Sequence, residues 1–198
     1  MERGLAAVVG AGTMGNGIAH VFAQFGWEVV LLDVAEDRLA RARETIAANL
    51  ERQVRKGVLA PEAREAALAR IRTATELAAA AGAHIVVEAV PEDVALKRRL
   101  FRELDGLAPG AILASNTSSI SITELAAATT RPERVVGMHF MNPVPVMKLV
   151  EVIPGLQTAR ETVAAVMEIA RGLDKTPVEV RDSPGFVSNR VLMPMINE

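Results

Sequence analysis

The sequence LAAVVGAGTMG at residues 5–15 decides the fold of this chain. Its apolar run ends at Gly10 and predicts a buried strand, because a strand covered on both faces reads as continuous apolar sequence. From Met14 to Phe25 the apolar residues return at helical spacing, and Gly26 ends that helix. A strand, a glycine turn and a helix in succession predict the first unit of an open parallel sheet.

The same alternation of strands and helices continues along the chain. Further strands are predicted at 28–32, 84–90, 112–114, 135–140, 147–152 and 177–180, and further helices at 36–56, 61–70, 92–107, after Ser121, at 158–171 and from 184 onward. This order predicts an α/β fold of Rossmann type, with a doubly wound, mostly parallel sheet and helices on both faces. We predict that this domain spans residues 1–183.

The glycine turn has the pattern of a dinucleotide-binding site. Its three glycines give G-x-G-x-x-G between a predicted strand and a predicted helix, which allows a tight turn and close approach of a pyrophosphate to the helix N-terminus. Asp33 ends the second strand, 18 residues after the last of these glycines, where a carboxylate binds ribose hydroxyls and repels a 2′-phosphate. The predicted cofactor is therefore NAD, not NADP. The residues of this region predicted to bind it are Gly10, Gly12, Thr13, Met14, Gly15 and Asp33.

Composition excludes several classes of function. The 198 residues include no Cys and three His, which excludes disulfides and thiolate catalysis and leaves little from which to build a metal site. A net charge of −2 gives no basic surface for nucleic acid or for a membrane. No apolar run approaches the roughly 20 residues of a membrane span. The first strand begins too early for a signal peptide, so a cytoplasmic protein is expected.

A candidate pair for proton transfer lies later in the chain. His139 ends one predicted strand and Glu151 lies in the next, with Asn-Pro-Val-Pro between them, and strands joined by a short loop bring such residues side by side. A carboxylate beside an imidazole fixes its tautomer and stabilises its protonated form, which suits proton removal from an alcohol while hydride leaves to nicotinamide. From spacing alone, a structural histidine is an equal alternative for His139. His20 and His84 are predicted to be structural.

Five blocks of sequence occur in a fixed order along the chain. They are VVGAGTMGNGIAH at 8–20, VVEAVPED at 86–93, ASNTSS at 114–119, HFMNPVPVMKLVEV at 139–152 and DSPGFVSNRVL at 182–192. Together they resemble the L-3-hydroxyacyl-CoA dehydrogenase family, which includes the short-chain 3-hydroxybutyryl-CoA dehydrogenases. The resemblance extends over essentially the whole chain. It implies an acyl-CoA substrate and an oxidoreductase that converts L-3-hydroxyacyl-CoA and NAD⁺ to 3-oxoacyl-CoA and NADH.

The resemblance also implies roles for individual residues. His139 would be the general base for the 3-hydroxyl group in oxidation and the acid in the reverse direction, and Glu151 would orient it and stabilise its charge. Ser118 would hydrogen-bond the substrate oxygen or the nicotinamide side, and Asn189 would hold the carbonyl region of the substrate. The alternative for Ser118 is a turn or helix-cap serine, and the alternative for Asn189 is a polar residue at a helix N-terminus.

Further contacts are implied for both ligands. The resemblance places Glu92 and Lys97 along the NAD and Asn142 at the nicotinamide carboxamide, and it places Asn49 and Lys56 near CoA, with Lys56 pairing with a CoA phosphate. The residues alone favour a solvated acid and a surface lysine for Glu92 and Lys97, and a solvated helix face for the other pair. The family often has Ser where this chain has Asn49.

Members of the family usually continue into a further helical domain, whereas this sequence ends at Glu198. We therefore expect residues 184–198 to be the first helix of a truncated all-α domain for substrate binding and dimerisation, and the full-length protein to be a homodimer. Its apolar side chains are expected to expose a patch.

Two other functions are open at this point. One is a related NAD-dependent enzyme of the L-gulonate dehydrogenase and lambda-crystallin type, which acts on a free hydroxy acid. The other is an NAD-binding fragment without turnover. A requirement for CoA separates the first of these from an acyl-CoA dehydrogenase.

Overall fold

The structure is a computed structural model that describes residues 3–197. Short 3-10 turns at Leu77–Ala80 and Pro132–Arg134 accompany the longer elements. The strands are β1 (Leu5–Val9), β2 (Glu28–Leu32), β3 (Ile71–Ala74), β4 (Ile85–Glu88), β5 (Ile112–Ser115), β6 (Val135–Phe140), β7 (Leu149–Pro154) and β8 (Thr176–Glu179). The helices are α1 (Thr13–Gln24), α2 (Glu36–Arg55), α3 (Pro61–Ala69), α4 (Val94–Leu107), α5 (Ile122–Ala126), α6 (Arg160–Gly172) and α7 (Ser188–Asn197).

The strands form one sheet in the order β3-β2-β1-β4-β5-β6-β7-β8. β6 and β7 are antiparallel, and the other neighbouring strands of the described residues are parallel. The predicted α/β fold of Rossmann type is therefore confirmed. The strand order reverses between β1 and β4, and ligands of such sheets bind at this reversal, outside the carboxyl ends of the strands.

Helices cover both faces of the sheet. In β1, Ala6 and Val8 pack in a core with α1, α2, α3 and α6, whereas Ala7 and Val9 pack in a core with α4 and α5. All four side chains are 5% exposed or less. Burial on both faces is the reason that β1 reads as an uninterrupted apolar run rather than as an alternation.

Three strands differ from the prediction by more than one residue: β7, which is shifted from 147–152 to Leu149–Pro154, and β3 and β4. The sequence does not predict β3, because its four residues are too short for a periodic pattern and only Ile71 among them is buried. The strand predicted at 84–90 is limited to Ile85–Glu88. His84 precedes it and is exposed, so its assignment to a buried strand is wrong.

Three helices begin later than predicted: α6, which starts at Arg160 rather than at residue 158, and α4 and α7. α4 starts at Val94 rather than at Glu92, because Asp93 is the N-cap and its carboxylate accepts a hydrogen bond from the Leu96 N–H at 2.8 Å. α7 starts at Ser188 rather than at residue 184. The segment before it forms a turn in which Phe186 is buried.

The last described helix carries an exposed apolar surface. None of the helices within residues 3–197 is long and apolar enough to cross a membrane. Side chains of α7 that are 51–69% exposed are Val191, Leu192, Met193, Met195 and Ile196. Such a row of apolar side chains is typical of an interface with another helix.

His20 is buried in α1, on the side that packs against α2. Its Nε2 lies 3.0 Å from Gln24 Oε1 and 3.1 Å from Gln53 Nε2. Burial lowers the pKa of His20 to about 4, although the hydrogen bond to Gln24 opposes this shift. The ring is therefore neutral at pH 7, and unfolding at mildly acidic pH takes up a proton.

This shift predicts a loss of stability on acidification. Because the folded-state pKa of His20 lies below the unfolded value of 6.5, the unfolded state binds more protons between pH 6.5 and 4, and the free energy of unfolding falls as pH decreases through that range. Between pH 7 and pH 4.5, we expect the free energy of unfolding of His20→Gln to fall by about 2 kcal/mol less than that of wild type. Chemical denaturation at a series of pH values measures this. The exposed residue His84, changed to Gln, is the matched control, and an unchanged slope in His20→Gln would refute the prediction.

Candidate active site

A cavity of about 660 Å³ lies where the strand order reverses. Its walls come from the segments that follow the carboxyl ends of β1, β2 and β4, which is the position expected for a dinucleotide in this fold. From the glycine turn, these lining residues are Gly10, Gly12, Thr13 and Met14; after β2 they are Asp33 and Val34; after β4 they are Ala89, Val90 and Pro91. The volume is in the range of small-molecule and cofactor sites.

The glycine turn fits a pyrophosphate. Gly10 has a φ of +101°, and a Cβ there would lie 2.7 Å from the Ala89 carbonyl oxygen. A Cβ on Gly15 would overlap the Gly10 carbonyl oxygen, whereas a Cβ on Gly12 would meet no described heavy atom within 4 Å. Gly12 is the N-cap of α1 and has no side chain with which to occupy the first N–H groups of the helix. These N–H groups and the free space beside them suit a phosphate group.

Asp33 lies at the end of β2 and is fixed by the glycine turn itself. Its Oδ2 accepts a hydrogen bond from the Ala11 N–H at 2.9 Å, and its Oδ1 is 3.9 Å from Nη1 of Arg38. Each carboxylate oxygen has two lone pairs, so Asp33 keeps acceptor capacity for ribose hydroxyls. The cavity therefore has the polar groups that NAD needs at both its phosphate and its adenosine ribose.

The predicted pair of His139 and Glu151 forms across two strands. The two residues are directly opposite in the antiparallel pairing of β6 and β7, and Nδ1 of His139 lies 2.8 Å from Oε2 of Glu151. Both are buried, at 5% and 1% exposed. The ring of Phe186 packs against the imidazole, with ring centroids 5.8 Å apart.

Glu151 has two further donors that were not predicted from the sequence. Its Oε1 accepts hydrogen bonds from the N–H groups of Val187 and Ser188, at 3.1 Å and 2.8 Å, at the start of α7. Burial disfavours the carboxylate, but the hydrogen bonds from His139, Ser188 and Val187 outweigh it and lower the pKa of Glu151 below its ordinary value. Glu151 is therefore ionised at neutral pH and accepts a hydrogen bond from the Nδ1–H group of His139.

Ser118 completes a continuous chain of hydrogen bonds. Its Oγ lies 3.1 Å from Nε2 of His139. Because Nδ1 donates to Glu151, Nε2 of the neutral ring has a free lone pair and accepts from the Ser118 hydroxyl. The side-chain amide of Asn189 donates to the carbonyl oxygen of Ser118 at 3.4 Å. The four residues predicted to be catalytic are thus brought together, in the order Glu151, His139, Ser118 and Asn189.

Glu92 fixes the loop that carries Ser118. Its Oε1 accepts hydrogen bonds from Thr117 Oγ1 at 2.5 Å, from the Ser118 N–H at 2.9 Å and from Ser119 Oγ at 3.2 Å. Burial opposes ionisation, but these donors and Lys97 lower the pKa of Glu92 overall. Glu92 is therefore an anchor of the Ser118 loop as well as a predicted contact of NAD.

Lys97 is not the surface lysine that its sequence context favours. It is 1% exposed, and its Nζ lies 2.5 Å from Oε1 of Glu88 and 3.4 Å from Oε2 of Glu92. It does not line the described cavity, so its contact with NAD stays a prediction. Glu88, which is fully buried at the end of β4, also accepts from Ser115 Oγ at 2.7 Å. Burial raises the pKa of Glu88, and Lys97 opposes this.

Glu88 was not predicted from the sequence, although a signal was present. An acid inside the apolar run HIVVEAV, with a lysine nine residues later, is typical of a buried ion pair at the start of a helix. Asp182 was also missed. Its carboxylate accepts from Ser121 Oγ at 2.8 Å and from the Thr123 N–H at 2.9 Å, which fastens the segment before α7 to the start of α5.

Three other predicted residues lie outside the His139 group. Asn142 is exposed, on the loop after β6 and three residues from His139. Asn49 is half-buried within α2, and Lys56 is exposed at the C-cap of that helix. Neither Asn49 nor Lys56 lines the cavity, so their contact with CoA stays a prediction. The described residues also contain no cluster of three or more His, Asp or Glu that could hold a metal ion.

Comparisons with known proteins show which family the chain resembles. Residues 5–183 match the family described as "3-hydroxyacyl-CoA dehydrogenase, NAD binding domain". The chain is 53% identical over 192 residues to a 3-hydroxybutyryl-CoA dehydrogenase of Bradyrhizobium diazoefficiens, which covers 96% of this chain and 66% of that protein. It is 50% identical over 199 residues to a probable 3-hydroxybutyryl-CoA dehydrogenase of Bacillus subtilis, which covers 100% of this chain and 69% of that protein.

The fold agrees as well. The crystal structure of (S)-3-hydroxybutyryl-CoA dehydrogenase from Ralstonia eutropha has a TM-score of 0.94 and 47% identity, covering 98% of this chain and 69% of that one. The chain thus spans about two thirds of the length of these relatives. The resemblance inferred from the five sequence blocks is confirmed, and the chain belongs to the 3-hydroxyacyl-CoA dehydrogenase family of NAD-dependent oxidoreductases, in which it corresponds to the NAD-binding domain.

Proposed function

We propose that the chain binds NAD and performs the proton transfer in the oxidation of an L-3-hydroxyacyl-CoA to a 3-oxoacyl-CoA, and in the reverse reduction. The observation that carries this proposal is the chain of hydrogen bonds from Glu151 through His139 to Ser118, at 2.8 Å and 3.1 Å. It lies at the carboxyl edge of a sheet that also forms the dinucleotide cavity. The names of the relatives support a 3-hydroxybutyryl-CoA-like substrate.

His139 accepts the hydroxyl proton of the substrate in oxidation and donates it in reduction. In oxidation, the C3–H bond of the substrate breaks with its electron pair, the C3–O bond becomes a carbonyl, and the hydroxyl proton goes to Nε2 of His139. Bound NAD⁺ supplies the hydride acceptor for this reaction. The imidazolium that forms is stabilised by the ionised carboxylate of Glu151 on its other nitrogen. In reduction, the same Nε2 returns a proton to the alkoxide oxygen.

Ser118 and Asn189 position the reacting oxygen. A substrate hydroxyl that donates to Nε2 of His139 comes within reach of Ser118 Oγ, which already lies 3.1 Å from that nitrogen. The Ser118 hydroxyl then donates to the substrate oxygen and stabilises the charge that develops on it. Asn189, bound to the Ser118 carbonyl oxygen, holds the carbonyl region of the substrate beside this loop.

The remaining contacts are part of the same proposal. Glu92 and Lys97 bind along the NAD, Asn142 binds the nicotinamide carboxamide, and Asn49 and Lys56 bind CoA. Residues 184–198 begin a helical domain that completes the acyl-CoA cleft and the interface of a homodimer, in keeping with the exposed apolar side chains of α7. We also propose that the protein is located in the cytoplasm.

Replacement of the predicted base tests the mechanism. We expect His139→Gln to lower the rate of NADH oxidation with acetoacetyl-CoA by roughly a hundredfold or more, because proton transfer by a positioned side chain contributes about that much. The measurement is spectrophotometric, on the protein in its natural full length. His84→Gln is the matched control, since His84 is exposed and lies outside the site.

Two outcomes would contradict the proposal. Full activity in His139→Gln would remove the histidine from the mechanism. Equal activity of wild type with acetoacetate and with acetoacetyl-CoA would favour an enzyme for free hydroxy acids.

A pair of glycine substitutions separates cofactor binding from folding. We expect Gly12→Ala to keep the stability of the domain but to weaken NADH binding by about tenfold, because its methyl group projects into open space reserved for the pyrophosphate. Gly15→Ala is expected to destabilise the domain by roughly 1–3 kcal/mol, because its methyl group overlaps the Gly10 carbonyl oxygen. Fluorescence titration with NADH and chemical denaturation measure the two effects. Unchanged NADH affinity in Gly12→Ala would place the pyrophosphate elsewhere.

Asp33→Asn tests the choice between NAD and NADP. The amide oxygen can still accept from the Ala11 N–H, so the turn is retained while the negative charge is removed. We expect NADH to bind about tenfold more weakly and NADPH more tightly than in wild type. Titration with both cofactors measures the ratio of their dissociation constants. A ratio equal to that of wild type would exclude Asp33 as the discriminating group.

A further inference from the structure

Lys175 is a buried cation whose role the proposed reaction does not explain. It lies in the turn between α6 and β8 and is 7% exposed. Its Nζ donates hydrogen bonds to the carbonyl oxygens of Val144 at 2.5 Å and of Met147 at 2.8 Å. Both carbonyls belong to the loop of residues 141–148 that joins β6 to β7, here called the 141–148 loop.

The 141–148 loop is folded tightly against α1. Within it, the N–H groups of Val146 and Met147 both donate to the Pro143 carbonyl oxygen, at 3.0 Å and 2.9 Å. The Val144 side chain is 1% exposed and packs so closely on α1 that a Cβ on Gly17 would lie 2.9 Å from its Cβ. Lys175 holds the same loop through its backbone, since it binds the carbonyl oxygens of Val144 and Met147, which the internal turn leaves free.

Asn142 lies on this same loop, two residues before Val144. In the proposed function it binds the nicotinamide carboxamide, and the position of that ring relative to His139 decides whether hydride transfer is possible. A loop whose carbonyls are tied to a buried ammonium group has little freedom to move. An apolar side chain would fill the same space without the cost of burying a charge, but it would leave the carbonyl oxygens of Val144 and Met147 without this donor.

We propose that Lys175 is a positioning residue that fixes the 141–148 loop, and through it Asn142, for contact with the nicotinamide half of NAD. The proposal rests on the proposed function, because it takes the contact between Asn142 and nicotinamide from there. Lys175 itself touches neither the substrate nor the reacting atoms.

The charged groups around Lys175 define the conditions of the test. Burial and, to a smaller extent, the charge of Lys148 together lower the pKa of Lys175 to about 8, while Asp174 opposes the shift. His20 of α1 also feels the charge of Lys175. At pH 7 Lys175 is protonated and His20 is neutral, so binding is compared at that pH.

The experiment compares two ligands that differ only in the nicotinamide ring. Dissociation constants for NADH and for ADP-ribose are measured at pH 7 on wild type, Lys175→Met and Lys148→Met. ADP-ribose keeps the contacts to the glycine turn and Asp33 but has no carboxamide to meet Asn142. Lys148 is the matched control, because it lies on the same loop but is 60% exposed and pairs with Asp174 at the surface.

We expect Lys175→Met to weaken NADH binding by about three- to tenfold while ADP-ribose binding stays within about twofold of wild type. Lys148→Met is expected to change neither. Equal weakening of both ligands in Lys175→Met would show a general structural role, and no weakening would show no role, and either result overturns the proposal. If Lys175→Met does not fold, Lys175→Gln, which keeps a shorter donor, is measured in the same way with the same expectations.

The wild-type protein separates this proposal from the function on which it rests. Tighter binding of NADH than of ADP-ribose is the result expected if the chain contacts the nicotinamide ring. Equal wild-type affinities would overturn that contact, and the role of Lys175 with it. A preference for NADH that Lys175→Met retains in full would overturn only the role of Lys175.

Discussion

The antiparallel register of β6 and β7 is the constraint on which the candidate active site depends. It places His139 opposite Glu151, and a shift of one residue would turn one of the two side chains to the other face of the sheet. All six residues of β6 are buried, so the strand has packing partners on both faces and little freedom to slip. The turn that joins the two strands is held by Lys175 and by the packing of Val144 on α1. The register, the turn and the contact between His139 and Glu151 are therefore parts of one arrangement.

Carboxylates connect the loops at this edge of the sheet. Glu92 binds the Ser118 loop, Asp182 binds the start of α5, and Glu151 binds the start of α7. Each accepts hydrogen bonds from groups more than 20 residues away in the sequence. Such loops expose too much backbone to be held by apolar packing alone, and charge-assisted hydrogen bonds fix their geometry with little buried area. This is how short, polar segments on different strands maintain distances near 3 Å between Glu151, His139 and Ser118.

Much of this arrangement was predictable from the sequence, for reasons that differ from residue to residue. The glycine turn and Asp33 are recognisable because backbone geometry and ligand chemistry leave few residue types possible there. His139 and Glu151 are visible as polar residues in apolar strands. β3 is not predictable, since four residues at a sheet edge show no period. The burial of Lys97 depends on its ion pair with Glu88, which lies nine residues earlier in the sequence. The N–H groups of Val187 and Ser188 that bind Glu151 are backbone groups, so they leave no side-chain signal in the sequence.

The contact between Glu151 and the first N–H groups of α7 has a thermodynamic consequence. These N–H groups favour the ionised carboxylate, and the carboxylate in turn favours the helical conformation that aligns them. By linkage, any molecule or domain that seats on the exposed apolar side of α7 and orders this helix also makes Glu151 a stronger acid, and protonation of Glu151 weakens that association by the same free energy. Docking on the exposed side of α7 and the proton affinity of Glu151 are thus coupled, although the docking surface is remote from the imidazole.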